Sequence, residues 1–413
     1  MKNFALVLGF ALAQLFAGPV LAQPDSQANG VAPVGAATTT GAAHTLGLPP
    51  LHWWRQAGSD LQSRGITLGG WLQADTSTVP EGGLTGANSV AGQYLMDLSA
   101  TVDTERLFGW PGGAFFVDAQ LHRGNNILTS QMPAIQDPDN MDANPTTSID
   151  RAWYQQKLLH QKLQVQIGLM YVDDQFLTVP YGQNFVSLDF SSDASLSTFV
   201  LPTYPKGSYG ADVFVYPMKG LYFSAGVFGD HSTELPYDPG GQLYISEEGW
   251  QGNWNAHVYE IQIGVWRDTG TFRRLANGAP RRGASGMYAV ASDQLWRPDP
   301  SSRRGLGLFV QLGTAPAAVA LVRRHYGAGL VWTGPFAQRP KDEIGVAFSD
   351  GILTRQNGFT YGFEKEFEAY YRIHVSRGFT VQPDVEYWRH PNGSGRDTTL
   401  LLIRFQYSFG AQS

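Results

Sequence analysis

From Ile66 almost to the C-terminus, apolar and polar residues alternate with a period of two. In Ile66-Thr67-Leu68-Gly69-Gly70-Trp71-Leu72-Gln73-Ala74-Asp75, apolar residues or glycines occupy one face, and Thr67, Gln73 and Asp75 share the other with Trp71. The alternation recurs in Tyr94–Asp103, Val117–His122, Leu163–Ile167, Tyr259–Ile263, Phe367–Val375 and Leu401–Phe409. Successive side chains of a strand point to opposite faces, so each segment predicts a strand with one greasy and one wet side. Pro383 interrupts the segment Phe379–Trp388. It has no N–H to give to a ladder, so it is expected at a bulge or near the strand's end.

The start of the chain has a different texture. Lys2, the apolar run Phe4–Phe16 and Val20-Leu21-Ala22 predict a secretory signal over residues 1–22. Residues 23–50, rich in Ala, Gly, Thr and Pro, cannot bury a core and read as a flexible leader. In 51–64, Trp54, Ala57 and Leu61 stand at helical spacing, so a short helix is expected before a strand domain over 65–413.

An export signal followed by alternating strands favours a barrel in the outer membrane, its greasy face toward lipid and its wet face toward water. About fifteen strands are legible. If the first rises from the periplasm, 124–148, 171–208 and 229–256 become long outside loops, and Pro217–Gly220 a short inside link. On that count the tight Arg377-Gly378 link falls outside, where long loops belong. One more strand between Gly229 and Phe363 corrects it, giving sixteen, an even number as bacterial barrels have. The expected fold is therefore all-β, a transmembrane antiparallel barrel of about sixteen strands preceded by a short helix.

Composition narrows the reading. The 413 residues include 48 Gly, 18 Tyr, 23 Phe and 11 Trp, which suits many strands with tight turns and wet ends. There is no Cys, so disulfides, thiolate metal sites and Cys nucleophiles are excluded. Mean hydropathy is −0.20, and no apolar run beyond the N-terminus approaches the roughly 18–20 residues of a spanning helix. A net charge of −6 gives no footprint for nucleic acid.

Several blocks resemble the carbohydrate-selective porins of the OprB type. They are Leu107-Phe108-Gly109-Trp110-Pro111-Gly112-Gly113 with Asp103 and Glu105 ahead, and Arg151 followed by Trp153-Tyr154-Gln155-Gln156. Arg304–Phe309, Gly334 with Arg339-Pro340-Lys341-Asp342, Glu368–Arg372 and Gln382-Pro383-Asp384 complete the set. They run collinearly from about Leu61 to Phe409. The terminal strand, with Phe405, Tyr407 and Phe409 on one face, resembles the closing strand of outer-membrane proteins that barrel assembly machinery handles. The resemblance implies passive uptake of mono- and small oligosaccharides through a barrel of about sixteen strands, as a monomer or a trimer in outer-membrane lipid.

No His-Glu-x-x-His, Gly-x-Ser-x-Gly or phosphate-cradling glycine loop occurs, and no His pairs with another at ligand spacing, so neither catalysis, cofactor nor metal is expected. His390-Pro391-Asn392-Gly393-Ser394 has the composition of a turn. A sugar channel calls for donors and acceptors on the wall with aromatic faces at intervals. By parity the wet side offers Asp118, Gln120, His122, Arg151, Glu260, Gln262, Glu366, Glu368, Arg372, Asp384, Glu386 and Arg404. Tyr370 joins them between Glu368 and Arg372. The aromatic-rich segments 171–208 and 229–256 are where a constriction is expected, at least one folding against the lumen wall, the first with Tyr171, Phe176, Tyr181, Phe185 and Phe190, the second with Tyr244, Trp250 and Trp254 beside Glu247 and Glu248. A channel for polyols or organic acids and a plugged barrel with a surface or assembly role remain the alternatives.

Overall fold

The computed structural model describes residues 52–84, 90–229, 237–254, 257–299, 302–393 and 395–410. The expected signal and leader lie outside the described residues. Helix α1 (His52–Ser63) leads through a two-residue turn into the first strand. The strands are β1 (Ile66–Glu81), β2 (Val90–Asp103), β3 (Gly113–Gly124), β4 (Thr146–Leu158), β5 (Leu163–Met170), β6 (Ser208–Met218), β7 (Leu221–Gly229) and β8 (Gln242–Trp254). There follow β9 (His257–Arg273), β10 (Pro280–Trp296), β11 (Gly305–Thr314), β12 (Val322–Thr333), β13 (Glu343–Leu353), β14 (Phe363–Ser376), β15 (Phe379–Arg389) and β16 (Thr398–Gly410). Among the described residues these sixteen strands form one closed antiparallel barrel, each paired with its sequence neighbours and β1 with β16. The seam is in full register, from Gly69 opposite Gly410 to Thr78 opposite Leu401.

Closure leaves no edge strand, so every strand has two partners for its backbone. The strand called for between Gly229 and Phe363 is β8, which shortens the expected outside loop 229–256 to 230–241. Its residues Leu243, Ile245 and Glu247 point inward and are buried, while Tyr244 and Trp250 point out and are exposed. Apolar residues on both faces erase the alternation, which is why the segment reads as a loop.

Short links such as 219–220 and 377–378 join strands at the end where α1 and the close of β16 lie, and the long loops share the other end. This is the disposition of periplasmic turns and external loops. Outward positions are apolar and exposed through the middle, as at Ile149, Ile167, Ile263, Val310 and Ile403. Exposed aromatics flank the band, with Tyr209, Tyr244 and Tyr326 toward the loops and Phe115, Trp296 and Trp332 toward the turns.

Pro383 departs from expectation. It sits in mid-strand, opposite Ile403 of β16, and points outward. The missing N–H is accommodated by a gap in the β14–β15 ladder, where pairing passes from Tyr370–Asp384 to Ile373–Val381. The neighbouring β16 ladder is continuous.

The inner face carries a core of its own. On β6 to β14, Phe214, Tyr222, Phe228, Trp266, Tyr288, Phe309 and Tyr370 point inward and are almost fully buried. Six of these seven aromatics stand directly opposite a glycine on the adjacent strand: Tyr222–Gly249, Phe228–Gly210, Trp266–Gly286, Tyr288–Gly264, Phe309–Gly329 and Tyr370–Gly345. Each ring lies flat across its partner, so a Cβ at Gly249 or Gly264 would come within 2.1 Å of ring atoms. Inner-wall aromatics can thereby lie down along the wall and leave the axis to the loops.

Candidate functional site

Two external loops turn back into the barrel. The first spans 125–145 and holds helix α2's successor, the single turn α3 (Ile127–Ser130); α2 itself (Thr104–Phe108) closes the β2–β3 turn at the other end. The second spans 171–207 and contains α4 (Leu188–Ser191) and α5 (Ala194–Ser197). Its Phe176, Leu177, Val179, Phe185, Phe190, Leu196, Phe199 and Val200 are all at most 1% exposed, an internal core packed on the aromatic wall. Phe185 meets Tyr370 edge-on at 4.9 Å and Phe309 at 5.8 Å. The two loops also bond each other, Asn140 N–H to Val186 C=O at 2.7 Å and Leu188 N–H to Asp137 C=O at 3.1 Å.

Wall carboxylates fasten both loops by their backbone. Glu368 accepts from Val186 N–H at 2.7 Å and Ser187 N–H at 3.1 Å. Glu247 accepts from Leu177 N–H at 3.0 Å and from the hydroxyls of Tyr222 and Tyr288, both at 2.7 Å. Glu364 accepts from Ile135 N–H at 3.1 Å, from Gln136 N–H at 2.8 Å and from Asn392 N–H. A buried N–H must find an acceptor, and a charged one makes the stronger bond. Loop 171–207 is held elsewhere by Gln262 on Thr178 at 3.0 Å, Gln120 on Pro205 C=O at 2.8 Å and Gln382 on Asn184 C=O at 2.9 Å.

Two arginines organise the charge. Arg404 of β16 bonds Asp75 across the β1 seam at 2.8 Å, and Asp139 and Asn140 of the first loop at 2.9 and 3.0 Å. Arg151 of β4 meets four carboxylates: Asp118, Asp174 at 3.1 Å, Asp150 at 3.7 Å and Asp97 at 4.0 Å. A bulge makes this possible, because Asp118 pairs with Arg151 and Ala119 with Ile149, so Asp150 is left over and also points inward. Near it, burial and the adjacent Asp174 push the Asp173 carboxyl up to about 7, while the Thr203 hydroxyl bonded to it pulls the other way.

The thirteen residues singled out by parity all lie on the inner face, but not in one place. Asp118, Gln120 and His122 are buried on β3, His122 beside Gln93 at 3.3 Å. Glu260 and Gln262 bond each other at 2.9 Å on β9. Glu366, Glu368, Asp384 and Glu386 gather between β14 and β15 beneath the second loop. Tyr370 differs most from its expected role. Its ring is covered by Phe185 and Gly345 and its hydroxyl bonds Glu343, so it offers no open face to a solute. Arg372 is half-buried. Parity overlooked Glu247 and Glu364; Glu364 stands two residues before Glu366 and shares its face. Of the two segments expected to narrow the channel, 171–207 folds into the barrel, joined by 125–145, whereas Gln242–Trp254 of 229–256 is wall strand β8.

The model of the carbohydrate-selective porin, OprB family matches residues 87–409. The chain belongs to that family. An OprB-family chain is an outer-membrane porin, and family and barrel together make it a channel. It is similar to Porin B of Pseudomonas aeruginosa, 23% identical over 76% of this chain and 80% of that protein. The high-pH structure of Pseudomonas putida OprB superposes with a TM-score of 0.78 at 18% identity, covering 86% of this chain and 97% of that one. The low-pH structure of the same porin gives 0.57 at 18% identity, covering 86% and 96%. At that identity the superpositions speak for the fold, a barrel of the OprB kind.

Proposed function

We propose that this OprB-family porin admits mono- and small oligosaccharides by passive diffusion, along a polar path between the wall and the two inward loops, with Arg372 as a principal sugar-facing donor. The observation that carries this is the state of the Arg372 side chain. It donates to Gln382 at 3.5 Å and Gln406 at 2.5 Å, and among the described residues no carboxylate lies within 4 Å of it. A guanidinium has five N–H donors, so several remain for hydroxyls. The loop tip nearby supports the same reading: Asn184 joins Gln382 and Glu343, and Gln183 is exposed. Arg151 with Asp174, and Glu260, are partly exposed on the β4 and β9 sides and offer further donors and acceptors. Mixed signs at such groups favour neutral solutes over ions of either charge.

Weak affinity suits the task, since a solute must also leave. In planar bilayers, glucose or a disaccharide should reduce single-channel current with half-effect at millimolar levels or weaker, about −4 kcal/mol or less favourable. Arg372→Gln should weaken that block in barrels that remain heat-resistant on gels. The reading fails if sugars leave the current of the unmodified protein unchanged while small organic acids reduce it.

A further inference from the structure

We propose that Glu366, Glu368, Asp384 and Glu386 form a site for a divalent cation of the calcium class, which ties the loop 171–207 to the wall at β14 and β15. The inference is independent of which solute the channel passes. Glu368 and Glu386 are cross-strand partners, Glu366 lies two residues along the same face of β14, and Asp384 two residues along the same face of β15. One carboxylate oxygen from each of Glu366, Glu368 and Glu386 lies within 4.8 Å of the other two. Calcium–oxygen bonds of roughly 2.4 Å allow two ligands of one ion to stand up to about 4.8 Å apart.

Four of the eight oxygens have no donor, although both of Glu368 are taken by the Val186 and Ser187 amides. Glu366 Oε2 takes the Ser187 hydroxyl at 2.8 Å and Glu386 Oε2 takes the Trp388 indole N–H at 2.6 Å. Glu366 Oε1, Glu386 Oε1 and both oxygens of Asp384 are buried with no hydrogen-bond donor, and Asp384 as a whole is 6% exposed. Four carboxylates thus meet beneath a lid, and none of them is in an ion pair among the described residues. The neighbouring Arg404 is committed to Asp75 and Asp139. Buried like charges need a counterion or protons. All-oxygen, all-anionic ligands select a hard cation that accepts six to eight oxygens, and loop carbonyls and water would complete the shell.

The test uses the full chain in detergent, stripped with EDTA and titrated with Ca2+ by equilibrium dialysis. Roughly one ion per chain should bind beyond the number held by Glu366→Gln/Glu386→Gln, the difference removing any contribution from surface-bound lipopolysaccharide. Tb3+ should luminesce on indole excitation, lose signal in Trp388→Phe and be displaced by Ca2+. Hydrogen exchange of the unmodified protein needs no variant: the Val186 and Ser187 amides should exchange more slowly with Ca2+ than with EDTA. Should the double variant fail to assemble, Asp384→Asn is read in the same dialysis. Equal binding by variant and unmodified protein, or exchange at 186–187 indifferent to Ca2+, overturns the proposal and leaves protons as the neutralising species.

Discussion

Replacing Glu364 by Gln should release the first inward loop without unmaking the barrel. Glu364 is fully buried and gathers the N–H groups of Ile135, Gln136 and Asn392 onto one carboxylate. Gln has the same shape but one acceptor oxygen, and its NH2 would face a backbone N–H that cannot turn into an acceptor. A hydrogen bond to a charged group contributes about 1.5–3 kcal/mol and a neutral one about 0.5–1.5, while a stranded buried donor costs about 1–3. Two weakened bonds and one stranded donor come to roughly 3 kcal/mol, allowing for relaxation and non-additivity. That corresponds to about a 150-fold rise in the detached population of the loop at 1.4 kcal/mol per factor of ten. Hydrogen exchange followed by mass spectrometry on a peptide spanning 133–138 reads it directly, with strands β7 to β12 as the internal control. Open-channel current should rise as the loop leaves the lumen. If exchange at Ile135 and Gln136 changes by less than about threefold, the carboxylate is not the anchor the geometry makes it.

Three further outcomes follow from the same wall. Ile261→Lys should impair assembly, since a lipid-facing charge costs roughly 2–4 kcal/mol near the midplane, whereas Gln262→Lys should assemble and loosen the loop at Thr178; equal folded yields on semi-native gels would mean that the register is wrong. Arg404→Gln leaves Asp75 and Asp139 buried without their cation, a loss of about 3–5 kcal/mol, so the folded band should convert at a lower temperature, and an unchanged midpoint would remove Arg404 as the seam's fastening. Because Asp173 titrates at about 7 in the folded protein against an ordinary 3.8, its contribution to stability is fully present below about 4 and lost as pH rises through 7. Melting midpoints should fall between pH 5 and 8, and Asp173→Asn should flatten that slope; parallel slopes for variant and unmodified protein would contradict the assignment.

The barrel was legible because lipid demands one apolar face on every strand, and where the inner face met water the alternation was clean, as in β1, β2 and β3. It failed at β8, where Leu243 and Ile245 face a protein core inside the barrel while Tyr244 faces lipid. Counting loop sides recovered that strand where periodicity did not, since a barrel closed by antiparallel pairs throughout needs an even number of strands. The candidate site was half legible. Parity gave the correct face for Glu366, Glu368 and Arg372, but a face is not an environment. Nothing in local spacing announces that Glu368 spends its oxygens on the amides of Val186 and Ser187, about 180 residues away in the chain. Arg151 and Asp150 both point inward only through a bulge, which no strict two-residue count can represent.

The wall carboxylates grip amides, and an amide is common to nineteen of the twenty residue types. At Ile135, Gln136, Leu177, Val186 and Ser187, what Glu364, Glu247 and Glu368 require is an N–H at a given place, whatever side chain it carries. The address of each loop is therefore written in the barrel, while side chains at its points of attachment, such as the buried Leu177 and Val186, answer to packing and not to the anchor. Selection, or an engineer, can rewrite much of what a passing solute meets without moving the aperture, and the one substitution those positions forbid on this ground is proline.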